Sequence, residues 1–291
     1  MFQPRRSVDT IPFRANTEIG QNFLVDPGVV RFILDRAAPE PSDRILEIGP
    51  GKGILTKALL DSPAGSVCAV ELDRRLEPYL VPLREERFHL VFGDALKTDL
   101  AGAFPEPPNR LVANLPYHIT TPLLFKILEE LHGLKGGLVM VQLEAGKRLV
   151  SGPGSKERCP LGILLEALGG ARILRRVPPG AFRPIPEVES CLVEFRVERH
   201  RDLPGNASFR ALLRAGFALR RKTLANALRA GLGLTKEEAE TRVASVGDPR
   251  LRAEQLTLDQ WLRLGGVKPE RAPTGEIPAD APLKPEANRG S

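Results

Sequence analysis

Three features of the sequence predict an α/β fold: a mostly parallel sheet with helices on both faces, followed by a small helical domain. Short apolar runs alternate with amphipathic segments between residues 44 and 149, the pattern of repeated β–α units. A glycine-rich turn, Gly49-Pro50-Gly51-Lys52-Gly53, joins the first run to the first amphipathic segment. Strand, tight turn and helix open a doubly wound nucleotide-binding sheet. From about Asn206 the composition becomes arginine-rich with helical spacing.

The elements follow in order. Residues 1–16 are polar and read as a flexible arm. Asp26 and Pro27 form an N-cap and first helical position for a helix over Gly28–Ala37, with Val29, Val30, Ile33 and Leu34 as its apolar stripe. Just before it, Gly20-Gln21-Asn22-Phe23-Leu24 carries two amides and a bulky ring, which is unusual for a linker. Ile45, Leu46 and Ile48 make the first strand, interrupted by Glu47. The glycines after it permit positive φ and close approach of a ligand. The helix Ile54–Leu60 then points free N–H groups at whatever is bound.

Ser66–Glu71 is a second buried strand, and Glu71 stands about 20 residues after the glycine turn, where a carboxylate takes ribose hydroxyls. A helix is expected from Asp73. Phe88–Phe92 is a third strand, ending in Gly93-Asp94, and Leu111–Ala113 a fourth, ending in Asn114-Leu115-Pro116-Tyr117. A helix over Pro122–Leu131, a strand over Gly137–Val141 and a helix to Leu149 complete the run. Ser151–Pro160 reads as a flexible basic loop. Ile173–Val177 and Cys191–Val197 form an edge hairpin, and the prolines between them stiffen the connection around Phe182. Residues 208–230 form an arginine-rich helical segment containing Arg220, Arg221 and Lys222, and Thr235 and Glu238 a capping box. The tail, residues 268–291, is rich in Pro, Glu and Ala and reads as disordered. The expected domains are 17–200 and 201–267.

Composition narrows the function classes. The 291 residues are 42% hydrophobic, enough for one or two cored domains. The net charge of +6 is informative only if the basic residues cluster. Cys68, Cys159 and Cys191 are widely spaced and form no CxxC, so a zinc site or disulfide framework is not expected and a reduced, cytoplasmic protein is. No run approaches the ~20 apolar residues needed to cross a bilayer.

Gly49, Glu71, Asp94 and Asn114 all stand at strand carboxyl ends, where such sheets bind ligands. Asn-Leu-Pro-Tyr is the most informative of these exits. The amino nitrogen of adenine is a poor nucleophile because its lone pair is delocalised into the ring. Hydrogen bonds from its N–H groups to the Asn114 side-chain oxygen and a nearby backbone carbonyl favour a pyramidal nitrogen. Tyr117 and Phe182 offer rings to stack on an extruded base. The competing readings are an ordinary strand exit for this motif and a packed loop aromatic for Phe182.

Together these stretches resemble the ribosomal RNA adenine dimethyltransferases. The resemblance is carried by GQNFL (20–24), EIGPGKGILT (47–56), ELD (71–73), GDAL (93–96), NLPYHITTPLL (114–124), PPGAFRPIPEVES (178–190) and FALRRKTLANAL (217–228), in the family's order. It implies a class I methyltransferase fold, Rossmann-like, with S-adenosylmethionine as methyl donor and no metal. It implies that Asn22, Leu24, Gly49, Gly51, Glu71, Asp94 and Asn114 line the donor site. Glu71 would take the ribose hydroxyls and Asp94 the donor's adenine amino group. Asn114, Leu115, Tyr117 and Phe182 would hold the target adenine. Lys156, Arg183, Arg220, Arg221 and Lys222 would grip RNA phosphates.

The sequence departs from the family's usual pattern at His118, Leu143, Gly146, Cys159-Pro160 and Glu189. The implied reaction is dimethylation of two adjacent adenosines near the 3′ end of 16S rRNA, by a monomer acting on a pre-assembled 30S-type particle. Three rivals stand beside it: the macrolide-resistance branch acting on large-subunit rRNA, an assembly factor acting mainly by binding, and a dinucleotide oxidoreductase. Against the last stand the GxGxG spacing and the Asn-Leu-Pro-Tyr exit.

Overall fold

Parallel strands buried on both faces read as continuous apolar runs, and the five such runs of this chain become five neighbouring strands. The computed structural model describes Ala15, residues 21–198 and residues 207–266. Apart from Ala15, the arm expected over residues 1–16 lies outside the described residues, as does the tail expected over 268–291. The strands are β1 (Phe23–Leu24), β2 (Arg44–Ile48), β3 (Ser66–Glu71), β4 (Phe88–Phe92), β5 (Arg110–Asn114), β6 (Gly136–Gln142), β7 (Ala171–Val177), β8 (Phe182–Arg183) and β9 (Ser190–Arg196). The main sheet has the order β4-β3-β2-β5-β6-β9-β7. Its first five strands pair in parallel and β9 runs antiparallel to β6 and β7. The expected edge hairpin is thus present, with β7 outermost.

Alternation along β2 sorts its side chains between two cores. Leu46 and Ile48 join a large cluster, while Ile45 joins a smaller one with Val29 and Ile33 of α1 (Pro27–Ala37) and Leu55 and Leu59 of α2 (Ile54–Leu60). Each such buried aliphatic side chain stabilises the fold by roughly 1.5–3 kcal/mol. Asp26 caps α1 as expected, its carboxylate accepting from the Gly28 and Val29 N–H groups.

Three elements differ from expectation. The helix from Asp73 is fragmented into a 3-10 turn (Arg74–Leu76), one turn of α3 (Glu77–Leu80) and another 3-10 turn (Val81–Leu83). Pro78 and Pro82 remove the N–H groups that a continuous helix needs. After α4 (Thr120–Glu130) and α5 (Leu143–Leu149), the sequence Pro160–Leu168 forms a helix, α6, that its nearly uniform apolar character had concealed. Cys159 caps it, its Sγ accepting from the Gly162 N–H at 3.4 Å. The arginine-rich segment is two helices, α7 (Ala207–Ala218) and α8 (Leu224–Leu232). The Leu224 N–H donates to the Leu251 carbonyl at 2.7 Å, which takes it out of a helical ladder.

The chain ends its described part with α9 (Lys236–Ala244) and α10 (Leu258–Leu264), both opened by capping boxes, the first at Thr235 and Glu238 as the sequence indicates. Phe209, Leu212, Leu213, Leu224, Leu228 and Trp261 of this helical part share the large cluster with Leu124 and Leu128 of α4 and Leu164 of α6. Arg210 of α7 donates to Glu129 of α4 at 2.7 Å across the same junction. Among the described residues no helix is long and apolar enough to cross a membrane, and the three cysteines are free and buried.

Candidate active site

The parallel strands bring their carboxyl ends to one edge, where the chain leaves a cleft of about 950 Å³ open to solvent. The glycine turn forms its floor. Gly49, Gly51 and Gly53 have φ of 68°, 60° and 79°. A Cβ on Gly51 would stand 2.7 Å from the Phe23 ring, so this position is closed to a side chain by sterics as well as by dihedral. The Gly51 N–H donates to Glu71 Oε2 at 3.0 Å, and the Asp73 N–H to Oε1 at 2.9 Å. Each carboxylate oxygen keeps a lone pair for a ligand. Burial pushes the Glu71 carboxyl up, against the opposing pull of those N–H groups.

The sequence-predicted donor residues Asn22, Leu24, Gly49, Gly51, Glu71, Asp94 and Asn114 all line this cleft, as do Leu115 and Tyr117. Asp94 caps its own turn, Oδ1 accepting from the Leu96 N–H at 2.9 Å. Asn114 Nδ2 donates to the Asn22 carbonyl at 3.2 Å, which fixes the side-chain amide. Its Oδ1 is buried and accepts no hydrogen bond. An unsatisfied buried acceptor is costly, and here it stands beside the Asn-Leu-Pro-Tyr exit with an N–H donor wanting. The Tyr117 and Ser190 hydroxyls are 2.6 Å apart, and burial pushes the Tyr117 phenol up.

A family model described as "Ribosomal RNA adenine dimethylase" matches residues 12–265. The chain belongs to this family. The "Ribosomal RNA small subunit methyltransferase A" of Syntrophotalea carbinolica is 41% identical over 254 residues, covering 86% of this chain and 96% of that protein. Among solved structures, a dimethyladenosine transferase from Plasmodium falciparum superposes with a TM-score of 0.69 at 24% identity, covering 84% of this chain and 98% of the other. The 23S rRNA methyltransferase ErmE superposes at 0.61, also at 24% identity and with the same coverages. The fold is therefore that of the class I methyltransferases and is shared by both target branches.

One of the residues that the dimethylase resemblance implied does not reach the cleft. Phe182 is fully buried and packs in the smaller core. Its backbone pairs with Leu24 in the two-stranded sheet β1–β8, which lays the ring beneath the chain and away from the target-base mouth. The reading of Phe182 as a packed loop aromatic is the one this conformation supports.

On the RNA side Lys156, Arg183, Arg220, Arg221 and Lys222 are all exposed. Arg220 donates to the Lys156 carbonyl, which joins the α7–α8 turn to the loop before α6. That loop is anchored where the sequence suggested flexibility. Arg158 within it is buried, donating to the Ser151 carbonyl at 2.8 Å and pairing with Glu166 at 2.9 Å. Arg183 donates to the Phe182 carbonyl at 2.7 Å and the Gly180 carbonyl at 3.1 Å.

The cleft also contains Gln21, Lys52 and Glu47, to which the sequence reading gave no role. Glu47 had a visible signal, a carboxylate inside an otherwise apolar strand. Among the family departures, Gly146 has a steric reason, since a Cβ there would stand 2.2 Å from Cys191 Sγ.

Proposed function

We propose that this chain dimethylates the 6-amino group of adenosine in small-subunit ribosomal RNA, with S-adenosylmethionine as donor. The observation that carries the reading is the buried, unpartnered Asn114 Oδ1 beside the glycine-floored cleft. The small-subunit branch is favoured over the large-subunit one by the relative 41% identical over nearly its whole length.

When bound, the donor supplies an electrophilic sulfonium methyl. Glu71 holds the ribose hydroxyls and Asp94 the adenine amino group, while the Gly49–Gly53 turn gives the backbone close approach. Asn114 Oδ1 and the Leu115 carbonyl accept the two N–H bonds of the target amine, which frees its lone pair along the line of attack. Tyr117, fixed by Ser190, flanks the base. The alkylated nitrogen is acidic and releases its proton to water, so the residues work by positioning and electrostatics. The exposed basic residues around Lys156 and Arg220 hold phosphates, and the targets are two adjacent adenosines near the 3′ end of 16S rRNA in a pre-assembled particle, met by a monomer.

The test incubates purified protein with donor and with isolated small or large subunits, and maps dimethyladenosine on both rRNAs. Small-subunit modification alone supports the reading. Large-subunit modification moves the chain to the other branch, and particle binding without modification makes it an assembly factor.

A further inference from the structure

We infer that Glu47 is the counter-charge for the cationic methionyl end of the donor, and that it gives up a proton to solvent when the donor docks. This rests on the reading of the cleft as the donor site. The argument starts from strand order. Asp94, Glu71, Glu47 and Asn114 lie on or just after β4, β3, β2 and β5, which are neighbours in that order and run parallel. A donor whose adenine meets Asp94, whose ribose meets Glu71 and whose methyl meets the amine at Asn114 must set its sulfonium and amino-acid portion over β2. The one acid of β2 is Glu47.

Its side chain suits that task. Glu47 is 2% exposed yet lines the cleft. Oε2 accepts from the Thr56 hydroxyl at 2.7 Å, which fixes the carboxyl, and no side chain or backbone donor reaches Oε1. A carboxylate held in an apolar strand with no cation beside it is held in its neutral form. Burial pushes its pKa up to about 8, the Thr56 hydroxyl opposes this, and the charge of Glu71 adds to it. The other charged or titratable groups around the cleft are Lys52, Asp94, Tyr117 and His118. An arriving cation reverses the balance, because an opposite charge at close range favours ionisation. The carboxyl O–H bond breaks, the proton passes to buffer, and a charge-assisted contact forms.

The experiment is titration calorimetry of the full chain with S-adenosylmethionine at pH 7, in buffers of different ionisation enthalpy, for wild type and Glu47→Gln. Glutamine keeps an acceptor for Thr56 but cannot ionise, and the donor's own titration cancels in the comparison. The expected result is that wild type releases close to one proton more per donor than the variant, and binds about tenfold or more tightly. Equal proton counts, with or without a change in affinity, overturn the inference for Glu47 and leave the cleft as donor site. No binding to the folded wild type overturns the reading of the cleft itself. Thr56→Val provides a second route if Glu47→Gln does not fold. It removes the hydroxyl that favours ionisation, so the pH at which release disappears should rise, and an unmoved pH counts against the inference.

Discussion

Glu47 and Glu71 sit on adjacent strands under the same turn, yet their environments differ. Glu71 accepts two backbone N–H groups, whereas Glu47 has a single hydroxyl. Glu47 therefore affects stability as well as binding. Its carboxyl is held near 8 in the fold, against an ordinary value of 4.5. Between those pH values the native state keeps a proton that the unfolded chain has lost, so this group's contribution falls as pH rises from about 4.5 to about 8. Glu47→Gln should flatten part of the decline in urea midpoint over that range, and an unchanged decline would place the titration elsewhere. Glu71→Ala should weaken donor binding by about tenfold or more, since it removes charge-assisted bonds worth roughly 1.5–3 kcal/mol. Calorimetry giving unaltered affinity would take Glu71 out of the site. Phe182 belongs to the other class of residue. As a core ring its truncation to alanine should cost on the order of 3–5 kcal/mol. A clamp on the target base would instead leave melting unchanged while slowing single-turnover methylation.

At the scale of elements, the sequence revealed the strands and glycine turn more fully than the helices around them. Continuous apolar runs ending in Gly49, Glu71, Asp94 and Asn114 can only be buried parallel strands with their polar ends at one edge, so the donor side of the cleft was legible. Pro78 and Pro82 marked the broken helix after Asp73, but the broken ladder at Leu224 was not visible, because its cause is a carbonyl at Leu251, distant in sequence. For the same reason β1 and β8 could not be read: two residues each, they exist only as each other's partner, and they decide where Phe182 points. The α7–α8 turn now has a defined shape. Arg220, Arg221 and Lys222 are presented together from a connection that Arg220 ties to the loop at Lys156. Reversing the three charges should lower RNA affinity and flatten its dependence on salt, because fewer counterions are released on binding. Donor affinity should be unaffected. A salt slope equal to that of wild type would reduce the turn to a solvated surface.

The whole molecule behaves as one cooperative body if the cores are continuous, and the large cluster is. It runs from Leu46 and Ile48 in the sheet through Leu124 and Leu128 of α4 to Phe209, Leu213 and Trp261 in the helical part. A boundary near residue 200 divides the chain by composition, but that core crosses it. Arg210 and Glu129 add a hydrogen-bonded ion pair at the junction, with the Arg210 side chain only 7% exposed. Breaking such a contact leaves a buried cation unpaired, which is costly. The single tryptophan of the chain is Trp261, so its fluorescence reports the helical part, while far-UV circular dichroism reports the whole chain. Denaturant titrations followed by both signals should coincide, and a saturating donor, whose site lies wholly on the sheet, should move both midpoints upward together. Separate midpoints, or a donor shift seen in circular dichroism but not in fluorescence, would mean that the helices unfold independently of the sheet.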